Sequence, residues 1–208
     1  MNAYVLNLDQ EPHKWQRMQA ALHSRGLNPV RVPAVDSKNN RNAGNLASHL
    51  AAVSLGIQDN PNGHLLILED DCLFPPAPGV FQDAIALARN HGWDGLILGC
   101  DLLCGRPGPD PALARPDHVT QSHAYLLRPR YTEKYLRWLC SVLPKKLNEP
   151  TYGPHTLDLA WRELFQRDQW LAFWPPMVLQ DSEYALPWHR NLNDEQVRIA
   201  YRYGWKIG

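Results

Sequence analysis

Hydrophobic and polar positions fall into blocks along the chain that predict strands separated by helices. The apolar run at 65–68 is too short for a helix and lacks alternation, which is typical of a strand buried on both faces. Residues 9–24 and 44–57 instead repeat apolar side chains at helical spacing. Because strand and helix alternate four times, the pattern predicts an α/β fold with a right-handed, mostly parallel, doubly wound sheet and helices on both faces.

The whole chain can be divided on this basis. The predicted strands are 3–8, 29–35, 65–68, 93–99, 118–127 and 170–174, and the predicted helices are 9–24, 44–57, 81–90, 129–142, 156–167 and 193–203. The segment 104–116 holds four prolines and two glycines, which predicts a surface loop that borders a ligand cleft.

Three carboxylates, Glu69, Asp70 and Asp71, follow the buried run at 65–68. Ligands of open α/β sheets bind beyond the carboxyl ends of the strands, which is where this cluster lies. In an extended segment Glu69 and Asp71 would point to one side and Asp70 to the other. Mg²⁺ or Mn²⁺, shared with a substrate diphosphate, would relieve their repulsion. A solvated acidic turn is the alternative interpretation.

Composition limits the possible functions. The chain of 208 residues predicts one domain. Basic and acidic residues number 21 each, so the net charge is zero, which disfavours a large nucleic-acid or membrane surface. No apolar stretch is long enough for a signal peptide or a membrane span, so we expect a soluble, cytoplasmic protein. The four cysteines form no metal or redox motif and are expected to be free thiols.

Seven short pieces, in order along the chain, resemble glycosyltransferase family 25, which contains bacterial lipooligosaccharide galactosyltransferases and collagen hydroxylysine galactosyltransferases. The pieces are Val5-Leu6-Asn7-Leu8-Asp9 with Pro12 and Lys14, Ala34-Val35-Asp36, Gly44 with Ala47-Ser48-His49-Leu50, Leu66-Ile67-Leu68-Glu69-Asp70-Asp71, His123-Ala124-Tyr125-Leu126-Leu127, Asp158, and Gln180 with Ser182. The chain departs from the family in being short, in having His155-Thr156-Leu157 before Asp158, and in its tail after Tyr184. We expect these departures from the family to affect how the acceptor is recognised.

The resemblance implies a GT-A-like fold, a UDP-sugar donor, and inversion at the anomeric carbon. It implies a Mn²⁺ or Mg²⁺ ion held by Glu69 and Asp71, and Asp158 as the general base. It divides the chain into a nucleotide-sugar-binding half at 1–100 and an acceptor half with the C-terminal tail at 101–208. His189 is a second catalytic candidate on its position and chemistry alone, because a late histidine can close over a diphosphate or complete a metal site. The side chains expected to bind the donor are Asn7, Leu8, Lys14, Asp36, Ser48, His49, Asp70, Gln180 and Ser182.

Each of these roles has a plainer alternative. Asn7 and Asp36 suit ordinary cap and turn hydrogen bonds. His49 suits a buried histidine with its hydrogen bonds satisfied, and Asp158 suits a carboxylate in the first turn of a helix, where the dipole favours it. Sequence alone leaves these alternatives open.

The leading hypothesis is transfer of a hexose or pentose from a UDP-sugar to a hydroxyl of a glycan. A second acceptor is a hydroxylated base in DNA, which is favoured by the basic residues Arg128, Arg130, Lys134, Arg137, Lys145 and Lys146. A metal-dependent phosphohydrolase would need more placed carboxylates than the sequence offers. A non-catalytic nucleotide-sugar-binding protein is disfavoured by the presence of Glu69, Asp71 and Asp158. Neither the donor sugar nor the oligomeric state follows from the sequence.

Overall fold

The computed structural model describes residues 1–181 and 188–206. Its strands are β1 (Asn2–Asn7), β2 (Asn28–Pro33), β3 (Leu65–Glu69), β4 (Cys72–Leu73), β5 (Gly95–Pro107), β6 (Leu113–Leu127), β7 (Trp170–Phe173) and β8 (Leu179–Gln180). Its helices are α1 (Pro12–His23), α2 (Arg41–Asp59), α3 (Pro78–Arg89), α4 (Pro129–Leu147), α5 (Leu157–Arg167) and α6 (Asp194–Tyr203), with a 3-10 helix at Trp188–Asn191.

A six-stranded sheet in the order β2-β1-β3-β6-β5-β7 forms the centre of the fold. β1 pairs in parallel with β2 and β3, and β5 pairs in parallel with β7. β6 alone is antiparallel to both of its neighbours, β3 and β5. Five of these six strands therefore run in one direction, which confirms the mostly parallel α/β sheet predicted from the sequence.

The third strand shows why its sequence has no alternation of apolar and polar residues. Leu66 and Leu68 pack into a cluster with residues of α1, α3 and α6. Leu65 and Ile67 point to the other face and pack with residues of α2, α4 and α5. Because helices cover both faces, all four leucine and isoleucine side chains lose contact with water, and burial of each stabilises the fold by about 1.5–3 kcal/mol.

The prediction that 104–116 is an irregular loop is wrong. β5 continues to Pro107 and β6 begins at Leu113, so most of the segment forms the outer part of a long antiparallel hairpin. Register shifts between Leu102 and Cys104 and between Cys104 and Gly105 absorb the residues that do not fit a regular ladder. Prolines are tolerated because they lie near the hairpin tip or next to these irregular pairs. Leu113 also pairs with Phe173 of β7, which anchors the hairpin.

Several smaller predictions concern helix caps, the state of the cysteines and membrane-spanning helices. Asn40 caps α2 by accepting a hydrogen bond from the Ala43 amide, so the helix begins earlier than predicted. Asn193 caps α6 in a reciprocal capping box with Gln196, as its position predicted. All four cysteines are free. Within the described residues, no helix has the length and apolar character needed to cross a bilayer.

Candidate functional site

A cavity of about 350 Å³ opens at the carboxyl ends of β1, β2 and β3, and we call it the acidic cavity. This is the edge of an α/β sheet at which ligands usually bind. Its walls combine the three carboxylates with basic and polar side chains from α1, α2 and the segment after β2. The lining residues used below are Leu8, Lys14, Asp36, Lys38, Arg41, Asn45, Ser48, Glu69, Asp70 and Asp71.

The three carboxylates share this cavity, which corrects the prediction that Asp70 faces the opposite side. β3 ends at Glu69 and the chain turns at Asp70 and Asp71, so the alternation of an extended strand stops there. Each carboxylate is held by a different part of the fold. Glu69 accepts a hydrogen bond from Asn45 of α2 at 2.9 Å, and Asp70 accepts one from Asn7 of β1 at 2.6 Å. Gln180 of β8 donates to Asp71 Oδ2 at 2.9 Å.

Burial and mutual repulsion perturb the carboxylates differently. Burial alone would raise the pKa of Glu69, but the hydrogen bond and charge of His49 lower it overall. Burial raises the pKa of Asp70. Burial and the charge of Glu69 raise the pKa of Asp71 to about 7. Asp71 Oδ1 is buried and has no hydrogen-bond partner among the described residues. A cation at this oxygen would favour ionised Asp71.

Basic side chains also line the acidic cavity. Lys14 forms an ion pair with Glu11 at 2.7 Å and lies 4.0 Å from Asp70. Burial would lower the pKa of Lys14, but Glu11 and the cavity carboxylates raise it overall. Lys38 and Arg41 also line the cavity, and sequence reasoning did not select them. A cavity that holds both carboxylates and cations suits a ligand that carries negative charge together with a bound metal ion.

Three of the residues predicted to bind the donor are buried and make hydrogen bonds within the protein. Asn7 is 1% exposed and joins Asp70 to Arg31, from which it accepts a hydrogen bond at 2.8 Å. Ser48 borders the cavity but donates to the Gly44 carbonyl and accepts from the Val35 amide, each at 2.8 Å. His49 is fully buried.

His49 connects the acidic cavity to the core. Its Nδ1 lies 2.9 Å from the Tyr125 hydroxyl and its Nε2 lies 3.3 Å from Glu69 Oε1. Tyr125 is fully buried in the aromatic cluster below the sheet. The imidazole therefore fixes the position of Glu69, and the satisfied-histidine interpretation is the one that the geometry supports.

The remaining predicted donor residues are Leu8, Asp36, Gln180 and Ser182. Leu8 and Asp36 line the acidic cavity, and Asp36 is exposed at its rim. Gln180 lies at the border of a second cavity while holding Asp71. Ser182 lies outside the described residues.

The second cavity, of about 280 Å³, lies beside the middle of β5 and β6 and next to β8, and we call it the histidine cavity. Gln180 lines it and also binds Asp71, so the two cavities meet at that side chain. Asp101 is 5% exposed there, and its Oδ2 has no hydrogen-bond partner among the described residues. Burial raises the pKa of Asp101 to about 6. The lining residues used below are Asp101, Gln121, His123, Gln180, Trp188 and His189.

Sequence reasoning did not select Asp101, although a signal was present. Asp101 follows a buried apolar run just as Glu69 follows its own run. Both carboxylates lie beyond the inner part of a strand at the same edge of the sheet.

His123 forms one wall of the histidine cavity and is held by two carbonyls. Its Nδ1 lies 2.6 Å from the Gln121 carbonyl oxygen and its Nε2 lies 3.0 Å from that of Val178. Only the protonated ring can donate to both, whereas burial lowers the pKa of His123. Gly99 leaves room for the ring, because a Cβ there would collide with it.

The two predicted catalytic residues occupy different positions. His189, in the 3-10 helix, lines the histidine cavity directly. Asp158 lies in the first turn of α5 and accepts hydrogen bonds from the amides of Leu159 at 2.9 Å and Gln121 at 3.2 Å. Asp158 therefore supports the wall formed by Gln121. Burial raises the pKa of Asp158, and the charge of Glu69 adds to this effect.

The acidic cavity has the donor set for a hard divalent cation bound together with a ligand. Across residues 1–181 and 188–206, no three histidine, cysteine or acidic side chains form a ready-made metal cage. Mg²⁺ in nucleotide sites commonly uses only one or two protein carboxylates, with phosphate oxygens and water as the remaining ligands. The unpartnered Asp71 Oδ1 beside Glu69 fits that mode.

Comparisons with known proteins bear on the fold. No protein-family model matches the sequence, and no curated protein matches it. A solved structure described as a glycosyltransferase involved in the glycosylation of the major capsid of PBCV-1 aligns over 98% of both chains, with a TM-score of 0.55 and 8% sequence identity. Protein A197 from STIV aligns at a TM-score of 0.46 and 11% identity, over 85% of this chain and 82% of that one. The glycosyltransferase GlyE of Streptococcus pneumoniae TIGR4 aligns at a TM-score of 0.47 and 12% identity, over 98% of this chain and 52% of that one.

The first of these alignments covers both chains almost completely and is the one that carries weight. With the sheet order and the helices on both faces, it confirms the GT-A-like α/β fold expected from the sequence. The protein thus has the fold class of a glycosyltransferase.

Proposed function

We propose that the protein is a metal-assisted, inverting glycosyltransferase of the family 25 type that moves a hexose or pentose from a UDP-sugar to a hydroxyl group of a glycan. The observation that carries this proposal is Asp71, a largely buried carboxylate with an unpartnered oxygen. It lies beside Glu69 and Asp70 and shares its cavity with three basic side chains. A sugar diphosphate with a bound cation matches both kinds of side chain, because its phosphates pair with the basic side chains and the cation pairs with the carboxylates.

In this proposal, the diphosphate of the donor binds in the acidic cavity. Asp71 and Glu69 would hold Mn²⁺ or Mg²⁺, and the ion would supply positive charge to stabilise the leaving diphosphate. Lys14, Lys38 and Arg41, which line the same cavity, neutralise further phosphate charge. His49 and Asn7 keep Glu69 and Asp70 in place without touching the donor.

The acceptor binds in the histidine cavity, which adjoins Asp71 through Gln180. The unpartnered Asp101 Oδ2 accepts a hydrogen bond from an acceptor hydroxyl. The ring of Trp188 lines the same cavity and offers an apolar surface for a sugar ring. We assign Asp158 as the general base, as the family resemblance implies; its carboxylate accepts a hydrogen bond from the amide of Gln121, which lines the histidine cavity. His189 lines the acceptor path.

The DNA alternative receives less support from the folded protein than from the sequence. Lys146 is fully buried and donates to the Pro150 carbonyl, and Lys134 is paired with Asp168. Arg130 and Arg137 form ion pairs with Asp94 and Glu133. The basic residues of α4 therefore do not form one free cationic surface for a DNA backbone.

The test is calorimetry with UDP, with and without Mn²⁺, followed by a screen of UDP-sugars for slow donor hydrolysis. We expect Mn²⁺ to tighten UDP binding and Asp71→Ala to abolish both the tightening and the hydrolysis. Asp83→Ala removes an exposed carboxylate from α3 and should change neither. Equal UDP affinity with and without Mn²⁺, or hydrolysis that survives excess chelator, would contradict the metal assignment.

A further inference from the structure

A second charged cavity lies at the opposite edge of the sheet, and we call it the arginine cavity. His64 comes immediately before β3, and Arg128 comes immediately after β6. Leu65 and Leu127 are paired across these strands, so His64 and Arg128 are neighbours at the amino end of β3. Glu69 marks the other end of that strand. The arginine cavity, of about 450 Å³, is lined by His64, Arg89, Arg128, Pro129 and Arg130.

Arg128 is held in place by packing and a hydrogen bond, and it forms no ion pair with a carboxylate among the described residues. Its guanidinium carbon lies 4.5 Å from the centre of the buried Trp93 ring, and its Nη2 donates to the His91 carbonyl at 2.7 Å. Its Nε is shielded from solvent and has no hydrogen-bond partner among the described residues. The His64 ring also packs on Trp93, at 5.7 Å between ring centres. A guanidinium fixed in this way loses little conformational entropy when it binds a ligand.

The charges around the arginine cavity are not balanced. Arg89 ends α3, is exposed, and pairs with no carboxylate among the residues that the structure describes. Arg130 pairs with Asp94 at 3.3 Å, and the other oxygen of Asp94 accepts the Gln169 amide. Burial lowers the pKa of His64, and the positive charges of Arg89 and Arg128 lower it further. In the part of the chain that the structure describes, the three arginines that line the cavity therefore form a single ion pair with a carboxylate, that of Arg130 with Asp94.

We propose that the arginine cavity binds a phosphate-type dianion. Guanidinium groups match phosphate oxygens with paired hydrogen bonds, and several arginines around one cavity supply the charge that such an anion needs. Pro129 and Arg130 also begin α4, whose first turn has no side-chain cap and carries the positive end of the helix dipole. The anion comes from a soluble phosphorylated compound or from a lipid headgroup. This site is separate from the acidic cavity and does not depend on the proposed function.

The test uses inorganic phosphate as the probe and His64 as the reporter. The pKa of His64 is measured by NMR at constant ionic strength, with phosphate replacing chloride. A bound anion offsets the charge of Arg89 and Arg128, so we expect the His64 pKa to rise saturably with phosphate. Arg89→Ala should weaken phosphate binding by about tenfold, the usual scale for losing one charge-assisted hydrogen bond. The control is Arg137→Ala, which removes one exposed positive charge from α4 outside the cavity and should leave the affinity unchanged.

Other outcomes would overturn the proposal. A His64 pKa that is the same in phosphate and chloride would do so. An identical phosphate response in the parent protein and in Arg89→Ala would also do so, because the cavity would then not be the site.

Cosedimentation with phosphatidylcholine vesicles that contain phosphatidic acid distinguishes a lipid headgroup from a soluble phosphorylated compound. Sedimentation that is lost in Arg89→Ala assigns a lipid headgroup, and phosphate binding without sedimentation assigns a soluble anion.

Discussion

Gln180 donates its side-chain amide to Asp71 Oδ2 at 2.9 Å, and this hydrogen bond joins residues that are 109 positions apart. It also lies where the acidic and histidine cavities meet. The bond favours ionised Asp71, while burial and Glu69 oppose ionisation. Gln180 is therefore a support for the group proposed to bind the metal ion.

Replacing this amide should weaken the metal site. We expect Gln180→Leu to lower Mn²⁺ affinity in the presence of UDP by about 10–100-fold, the range seen when a partner of a metal ligand is lost. The loss should be greater at pH 6 than at pH 8, because Asp71 becomes harder to ionise. Calorimetry at both pH values measures this, with Gln169→Leu as the control at an amide away from the cavities. A pH-independent loss would argue against a role for Gln180 in ionising Asp71.

Asp158 and Asp101 should differ in their kinetic effects. Asp158→Asn removes the proposed base and should lower the rate of donor hydrolysis by about a hundredfold or more, with UDP affinity nearly unchanged. Asp101→Asn should retain most of the hydrolysis rate. In hydrolysis, water takes the place of the acceptor hydroxyl that Asp101 is proposed to bind. If Asp158→Asn is fully active and His189→Ala is not, His189 is the base. If Asp101→Asn alone is inactive, the base is Asp101.

The pKa of Asp101 predicts how stability depends on pH. Its folded value of about 6 lies above the ordinary value of 3.8, so the folded state binds the proton more tightly than the unfolded chain. The contribution of Asp101 to stability is therefore present below about pH 4, falls as the pH rises to about 6, and then stays constant. Asp101→Asn should raise the free energy of unfolding by about 1–3 kcal/mol more at pH 8 than at pH 4. Urea denaturation at the two pH values checks this, and equal changes would contradict it.

Gly99 gives a steric test of the histidine cavity. A Cβ at this position would collide with the His123 ring and the Val178 carbonyl, whereas a Cβ at Gly79 would meet nothing within 4 Å. Gly99→Ala should cost about 1–3 kcal/mol, the usual range for overpacking. It should also displace the His123 resonances in NMR spectra. Gly79→Ala should be neutral or slightly stabilising, so a comparable loss in both variants would show that the His123 contact is not the cause.

The hairpin of β5 and β6 provides a matched pair of leucines. Leu113 is 3% exposed and pairs with Phe173, whereas Leu103 is 52% exposed on the partner strand. Leu113→Ala should destabilise the protein by about 2–5 kcal/mol, and Leu103→Ala by less than about 0.5 kcal/mol. Urea denaturation compares them. Similar small effects would mean that the hairpin is a mobile flap and not part of the folded core.

The local pattern of apolar and polar residues was sufficient to predict the elements that are buried along their whole length. The apolar run before Glu69 could only be a strand covered on both faces, and the position of the acidic cluster at its carboxyl end followed from that. Asn193 likewise predicted the start of α6, because a capping residue acts on amides three positions away. These predictions depend on interactions within a few residues.

The hairpin and the functional side chains depended on contacts between distant segments. Residues 104–116 look irregular by composition, but pairing with a neighbouring strand supplies the hydrogen bonds that hold them. Asp70 shares a cavity with Asp71 because the chain turns after β3, which the rule of alternation does not anticipate. The sequence by itself determined the sheet, its helices and the acidic edge. The tertiary structure decided which side chains face a cavity and which, like His49 and Asn7, are used as buried supports, because that depends on what each side chain finds within hydrogen-bond reach.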